Sequence, residues 1–129
     1  MKTSQDPRHQ KRIDRMQQLF AYSFQQNASY DLISSILPAL TDLDTAIQNA
    51  APEWPTDKIA KIDLAILRLS VYELTVEKTE PPKVIIDEAV ELAKAYGNEH
   101  SPKFINGVLG TILKDVIARS ETTKQSPRE

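Results

Sequence analysis

Between residues 59 and 74 the sequence IAKIDLAILRLSVYEL places apolar side chains on nearly every face of a helix, leaving water almost nowhere to reach it. A segment like this must be surrounded, so it predicts a central helix packed on several sides by the rest of the chain. Its β-branched content would also suit a strand, but its length and lack of strict alternation favour helix. A chain of 129 residues with 40% hydrophobic residues and three glycines can supply the surrounding shell as one domain.

The flanking segments carry the helical period that such a shell needs. Over residues 8–26, Ile13, Met16, Phe20 and Phe24 predict the apolar face of a first helix, with Asp6-Pro7 as N-cap and first helical position. Ser29 or Asp31 opens a second helix through Leu32, Ile33, Ile36 and Leu37. Pro38 interrupts it before Leu40, Leu43 and Ile47 resume the period. Pro52-Glu53-Trp54-Pro55 breaks the chain, and Thr56 and Asp57 offer caps for the central helix. Two more helices are expected: Val84 to Tyr96, stopped by Gly97, and one opened by Ser101-Pro102 with Ile105, Val108, Leu109, Ile112 and Val116 buried. The polar residues 121–129 read as a flexible tail after a single domain of residues 1–120. The fold class is therefore all-α, a compact helical bundle.

Charge is distributed unevenly beneath a net value of −2. Lys2, Arg8, Lys11, Arg12 and Arg15 face only Asp6 and Asp14 near the start, acids dominate the middle, and Lys103, Lys114 and Arg119 restore positive charge later. On the first helix, Arg8, Lys11, Arg15 and Tyr22 fall in one sector opposite the apolar face, with Arg12 at its border. Cations for phosphates and a ring for stacking are what a nucleic-acid surface needs. An ordinary solvated helix face has the same pattern, and the residues alone leave both readings open. Phe104, a quarter-turn from the last helix's apolar stripe and beside Lys103, is either a base-stacking ring or a peripheral core residue. Gly107 and Gly110 lie away from that stripe and suggest close approach by another helix or a partner.

The inventory disfavours an enzyme. Cys is absent, which removes disulfides, thiolate metal sites and thiol nucleophiles, and suits a reducing cytoplasm. His9 and His100 lack carboxylates at metal-ligand spacing, Ser70 has no base in reach, and Ser101 reads as a cap. Asp87, Glu88 and Glu91 sit early in a helix, where the dipole favours acids. No catalytic residue, metal or cofactor is expected. No apolar run approaches the length of a membrane span and the N-terminus lacks a signal-like apolar region, so the expectation is a cytoplasmic protein.

AILRLSVYEL (65–74), PPKVIIDEAVELAKAYG (81–97) and SPKFINGVLGTI (101–112) resemble, in order and spacing, the three signature segments of the NusB family of transcription antitermination factors. Arg8-x-x-Lys11-Arg12 followed by Met16-Gln17-x-Leu19-Phe20 is similar to that family's opening helix. The resemblance implies two small packed helical sub-bundles, the first one shortened across residues 27–57. It implies a non-catalytic adaptor that binds single-stranded boxA-like RNA together with the ribosomal protein NusE, within the RNA polymerase antitermination complex on ribosomal RNA operons. By the same resemblance, Arg8 and Arg12 match RNA-contacting arginines and Lys103 and Phe104 match a Lys-Phe pair near the RNA. Lys11 and Arg15 extend that basic surface. Asp63 and Phe20 match positions that face the protein partner. Phe20 lacks the hydroxyl of the family's usual Tyr, Lys11 replaces a frequent Ala, and His100 a frequent Asp. The competing reading is a NusB-like interaction module, or a homodimer, with a role in ribosome assembly.

Overall fold

A computed structural model describes residues 6–125, with side chains through residue 120. Five α-helices account for most of it: α1 (Pro7–Tyr22), α2 (Leu40–Ala50), α3 (Lys61–Tyr72), α4 (Pro82–Tyr96) and α5 (Ser101–Gln125). No strand occurs among the described residues. Helix α3 packs against all four others, as its near-uniform apolarity demands. Leu64 through Leu67, Leu69, Val71 and Tyr72 are all buried within it. The core continues through Met16 and Leu19 of α1, Leu43 and Ile47 of α2, Ile85, Ala89 and Leu92 of α4, and Ile105, Leu109 and Ile112 of α5.

Helix α1 begins as expected: the Asp6 carboxylate accepts from Arg8 N at 2.9 Å and Pro7 takes the first helical position. It ends at Tyr22, four residues earlier than expected, and its inward face differs from the apolar pattern. Arg12, Arg15, Met16 and Leu19 are buried, whereas Phe20 and Phe24 are exposed. The helix is rotated because two arginines find carboxylates and an aromatic ring inside, a partnership that hydrophobic periodicity does not register.

The second helix expected from Ser29 or Asp31 is replaced by two 3-10 turns, Asp31–Ile33 and Leu37–Ala39, which run into α2. Only Ile33 and Ile36 are buried there, and Pro38 takes an early position in the second turn. Thr56–Lys58 forms another short turn instead of capping α3, which starts at Lys61. After α3 the chain widens into a π turn, Glu73–Glu77, closed by Lys78 in the left-handed region at φ 53°. Its wide hydrogen bond, Lys78 N to Glu73 O, measures 2.8 Å.

At the α4–α5 corner Gly97 is required by space. A Cβ there would collide with Ser101 Oγ and lie 2.9 Å from the Ala93 carbonyl oxygen. Ser101 does not act as the expected cap: its hydroxyl is wholly buried and accepts from Asn98 N at 3.0 Å, while the Asn98 side chain accepts from His100 N. Gly107 and Gly110 face open space, so no neighbouring helix among the described residues explains them. Helix α5 continues through Gln125, past the domain limit expected at residue 120, and residues 126–129 of the expected tail lie outside the described region.

Candidate nucleic-acid interface

The basic residues of α1 divide into two outward and two inward. Lys11 is exposed, and Arg8 projects with 69% of its side chain in water, held loosely by Asp6 at 3.4 Å and Glu80 at 3.5 Å. The backbone N–H of Arg8 and then its side chain lower the Asp6 pKa, and Asp6 in turn raises that of Arg8. Arg12 points inward and forms a fork on Glu73, with Nε–Oε2 at 2.9 Å and Nη2–Oε1 at 2.7 Å. Its Nη2 also reaches Glu80 at 2.6 Å, and its Nη1 lies 3.6 Å from Glu88. Burial opposes the Arg12 charge, but hydrogen bonds to Glu73 and Glu80 outweigh it and push the pKa above its ordinary value. Arg15 is also buried: it meets Glu77 at 3.3 Å and lies 5.7 Å from the centre of the Tyr72 ring.

The solvated stripe expected across Arg8, Lys11, Arg12 and Arg15 is thus half surface and half interior. All four line one cleft of about 330 Å³ at the junction with Glu73, Glu77 and Glu80, carboxylates that offset much of their positive charge. Tyr22, expected to end the stripe, is half-buried and packs edge-on against Tyr30 at 5.9 Å.

His9 Nδ1 and Glu88 Oε1 are 2.9 Å apart, so the fold brings histidine and carboxylate together although sequence spacing does not. Glu88 serves His9 and Arg12 in the interior, not the helix dipole. Among the described residues no group of three or more His, Asp or Glu side chains could hold a metal ion.

On the other side, Phe104 is half-buried against the core, and its ring meets Trp54 edge to face at 6.3 Å. Both rings line a cleft of about 400 Å³ with Lys58, Asp63, Asn98 and His100. Asp63 and Phe104, matched by resemblance to different binding partners, therefore share one cleft. Asp63 is only 6% exposed and its Oδ1 has no hydrogen-bond partner. Burial raises its pKa, and the hydrogen bond from the Ser101 hydroxyl counters only part of the shift. Lys103 is exposed and lines a separate groove with Asp87 and Glu91. Phe20 is away from this cleft, exposed at the far end of α1 and paired edge-on with Phe24 at 5.1 Å.

Read from the sequence, Trp54 is punctuation between prolines. A large aromatic in a polar turn is the available signal for more, because nothing local explains its presence there. Glu73 is likewise easy to pass over, although a carboxylate in the otherwise apolar run around the central helix calls for a buried cation.

Comparison with known proteins supplies the wider context. The NusB family model matches residues 5–114. The transcription antitermination protein NusB of Chloroflexus aggregans is 42% identical over 85 residues, covering 64% of this chain and 57% of that protein. Its counterpart from Roseiflexus castenholzii is 48% identical over 81 residues, covering 61% and 57%. The chain thus spans somewhat over half the length of these relatives. Among solved structures, T. maritima NusB superposes with a TM-score of 0.77 at 32% identity, covering 89% of this chain and 94% of that one. A chain from a crystal structure of antitermination factors NusB and NusE in complex with dsRNA shares the fold, with a TM-score of 0.72 at 22% identity over 85% of this chain and 99% of that one.

Proposed function

From the premise that this chain belongs to the NusB family, we propose that it is a non-catalytic transcription antitermination factor that binds single-stranded boxA-type RNA jointly with the ribosomal protein NusE. In this reading the pair joins the RNA polymerase antitermination complex on ribosomal RNA operons. The observation that carries it is the family match across residues 5–114, which takes in both the basic first helix and the Lys103-Phe104 pair.

The geometry supports a division of labour. Arg8 and Lys11 on α1 and Lys103 on α5 present cations to phosphates, and Phe104 supplies a ring for a base. Arg12 and Arg15 hold α1 against the π turn and contribute to this surface from beneath it. Phe20, exposed beside Phe24, is the side chain a protein partner meets, while Asp63 stays inside the Phe104 cleft. The groups nearest to acid–base or nucleophilic chemistry are committed elsewhere: His9 to Glu88, and the Ser101 hydroxyl to Asn98.

The test is a salt titration with labelled boxA-type RNA, with and without NusE. An Arg8→Ala/Lys11→Ala variant should bind more weakly, and its plot of log affinity against log salt should be shallower by about 1.4, roughly 0.7 for each phosphate that is no longer neutralised. Equal affinity and equal slope would remove α1 from the RNA surface.

A further inference from the structure

Arg8, a cation that α1 offers to a phosphate, already stands between two carboxylates. Its Nη2 lies 3.4 Å from Asp6 Oδ2 and its Nη1 3.5 Å from Glu80 Oε2. Charge-assisted hydrogen bonds of this kind are usually about 2.7–2.9 Å long, so both contacts are slack and the solvated Arg8 side chain is able to leave them. Glu80 cannot follow. Its other oxygen accepts from Arg12 Nη2 at 2.6 Å, and only 13% of its side chain is exposed. The backbone is held as well, because Lys78 enters the link in the left-handed region and Pro81-Pro82 closes it, restricting the residue in front. Arg8 and Glu80 together line two clefts, the one of about 330 Å³ with Lys11 and a second of about 190 Å³ with His9 and Val84. A phosphate that reaches Arg8 through either cleft meets the same fixed negative charge.

We propose that Glu80 is a positioning residue of the RNA surface: a fixed carboxylate that competes with RNA phosphate for Arg8 and keeps affinity below what the basic helix alone would give. The inference rests on the RNA-binding reading above and adds to it an acidic residue that acts against binding. The two oxygens of Glu80 divide the work. Oε1 belongs to the buried cluster and fastens α1 through Arg12, whereas Oε2 faces the surface and draws Arg8 back from solvent. RNA that engages Arg8 must pull the guanidinium away from Oε2 and then lie close to the charge left behind. The exchange leaves the fold intact, because Arg12 keeps Glu80 Oε1 and both oxygens of Glu73 throughout.

Glu80→Gln tests this directly, because the amide removes the charge and still offers Arg12 an oxygen. The intact protein is titrated with labelled boxA-type RNA, with and without NusE, at one fixed salt concentration. Wild type, Glu80→Gln, Arg8→Ala and the double variant are compared by anisotropy. Glu80→Gln should bind about threefold tighter than wild type, within the range of one exposed ion pair. In the Arg8→Ala background the same substitution should change affinity by less than about 1.5-fold, since the cation under competition is gone. This cycle separates a positioning role from a structural one, because an effect transmitted through Arg12 would persist without Arg8. Unchanged affinity in Glu80→Gln overturns the proposal. Weaker binding overturns it too, and gives Glu80 the opposite task of presenting Arg8. An equal gain in the Arg8→Ala background reduces the effect to general charge and also overturns it. Each of these results leaves the RNA reading standing. If wild type binds no RNA under either condition, the RNA reading fails and takes this inference with it.

Discussion

At the scale of single residues, Asp63 shows how burial and proton binding are linked. Desolvation raises its folded pKa above the ordinary aspartate range, so the folded state binds the proton more tightly than the unfolded chain does. The stability this contributes is complete below the unfolded pKa and disappears as pH rises through the folded value. Asp63→Asn carries no such dependence. The stability of the wild type relative to Asp63→Asn should therefore decline from acid pH upward across a window just above the usual aspartate pKa, and level off beyond it. Denaturant midpoints of both proteins across that range measure it, and a pH-independent difference would mean that the carboxyl is not desolvated in solution.

At the scale of elements, the glycines separate by what surrounds them. Gly97 sits where any Cβ strikes Ser101, whose buried hydroxyl accepts from Asn98 N. Gly97→Ala must push α5 away from α4 and should cost about 1–3 kcal/mol, as overpacked sites do. Gly107 on α5 has open space around it, so Gly107→Ala should stabilise the helix by about 0.5–1 kcal/mol. Thermal denaturation of the two variants decides the matter: opposite signs are expected, and equal signs would contradict the packing at this corner. The elements themselves were largely legible in the sequence, because α3 is apolar on nearly every face, while α4 and α5 carry a helical period with Pro or Gly where they begin or end. Between residues 23 and 39 the apolar positions are too few to hold a helix, and 3-10 turns replace it. The caps expected from Thr56, Asp57 and Ser101 failed because each local rule was overridden by a contact or turn that the sequence does not display.

At the scale of the whole molecule, the bundle is held at one end by apolar packing around α3 and at the other by charge. Arg12 joins α1 to the end of α3, the turn after it and α4 through Glu73, Glu80 and Glu88. Removing it leaves several carboxylates with less than their due of positive charge in a low-dielectric interior. Arg12→Ala should destabilise the protein by about 3–5 kcal/mol in chemical denaturation. A loss below about 1 kcal/mol, the level of an exposed ion pair, would show the cluster to be well hydrated. This variant would weaken RNA binding by loosening α1, which is why Arg8 and Lys11 make the cleaner test of contact. The basic character of α1 was visible in the sequence. The direction in which each arginine points was not, since it depends on acids more than sixty residues away.

The π turn at Glu73–Glu77 has a consequence for how this chain can change in length. A π turn spends one more residue than an α turn, and each residue along a helix rotates the next side chain by roughly 100°. Deleting any one residue between 73 and 77 would swing Glu77 and Glu80 around the axis and aim different side chains at Arg12 and Arg15. A substitution at an exposed position here, such as Val76, can be absorbed, but a change in residue count cannot. Insertions and deletions belong instead to the short turns between α1 and α2, where no buried charge keeps the register.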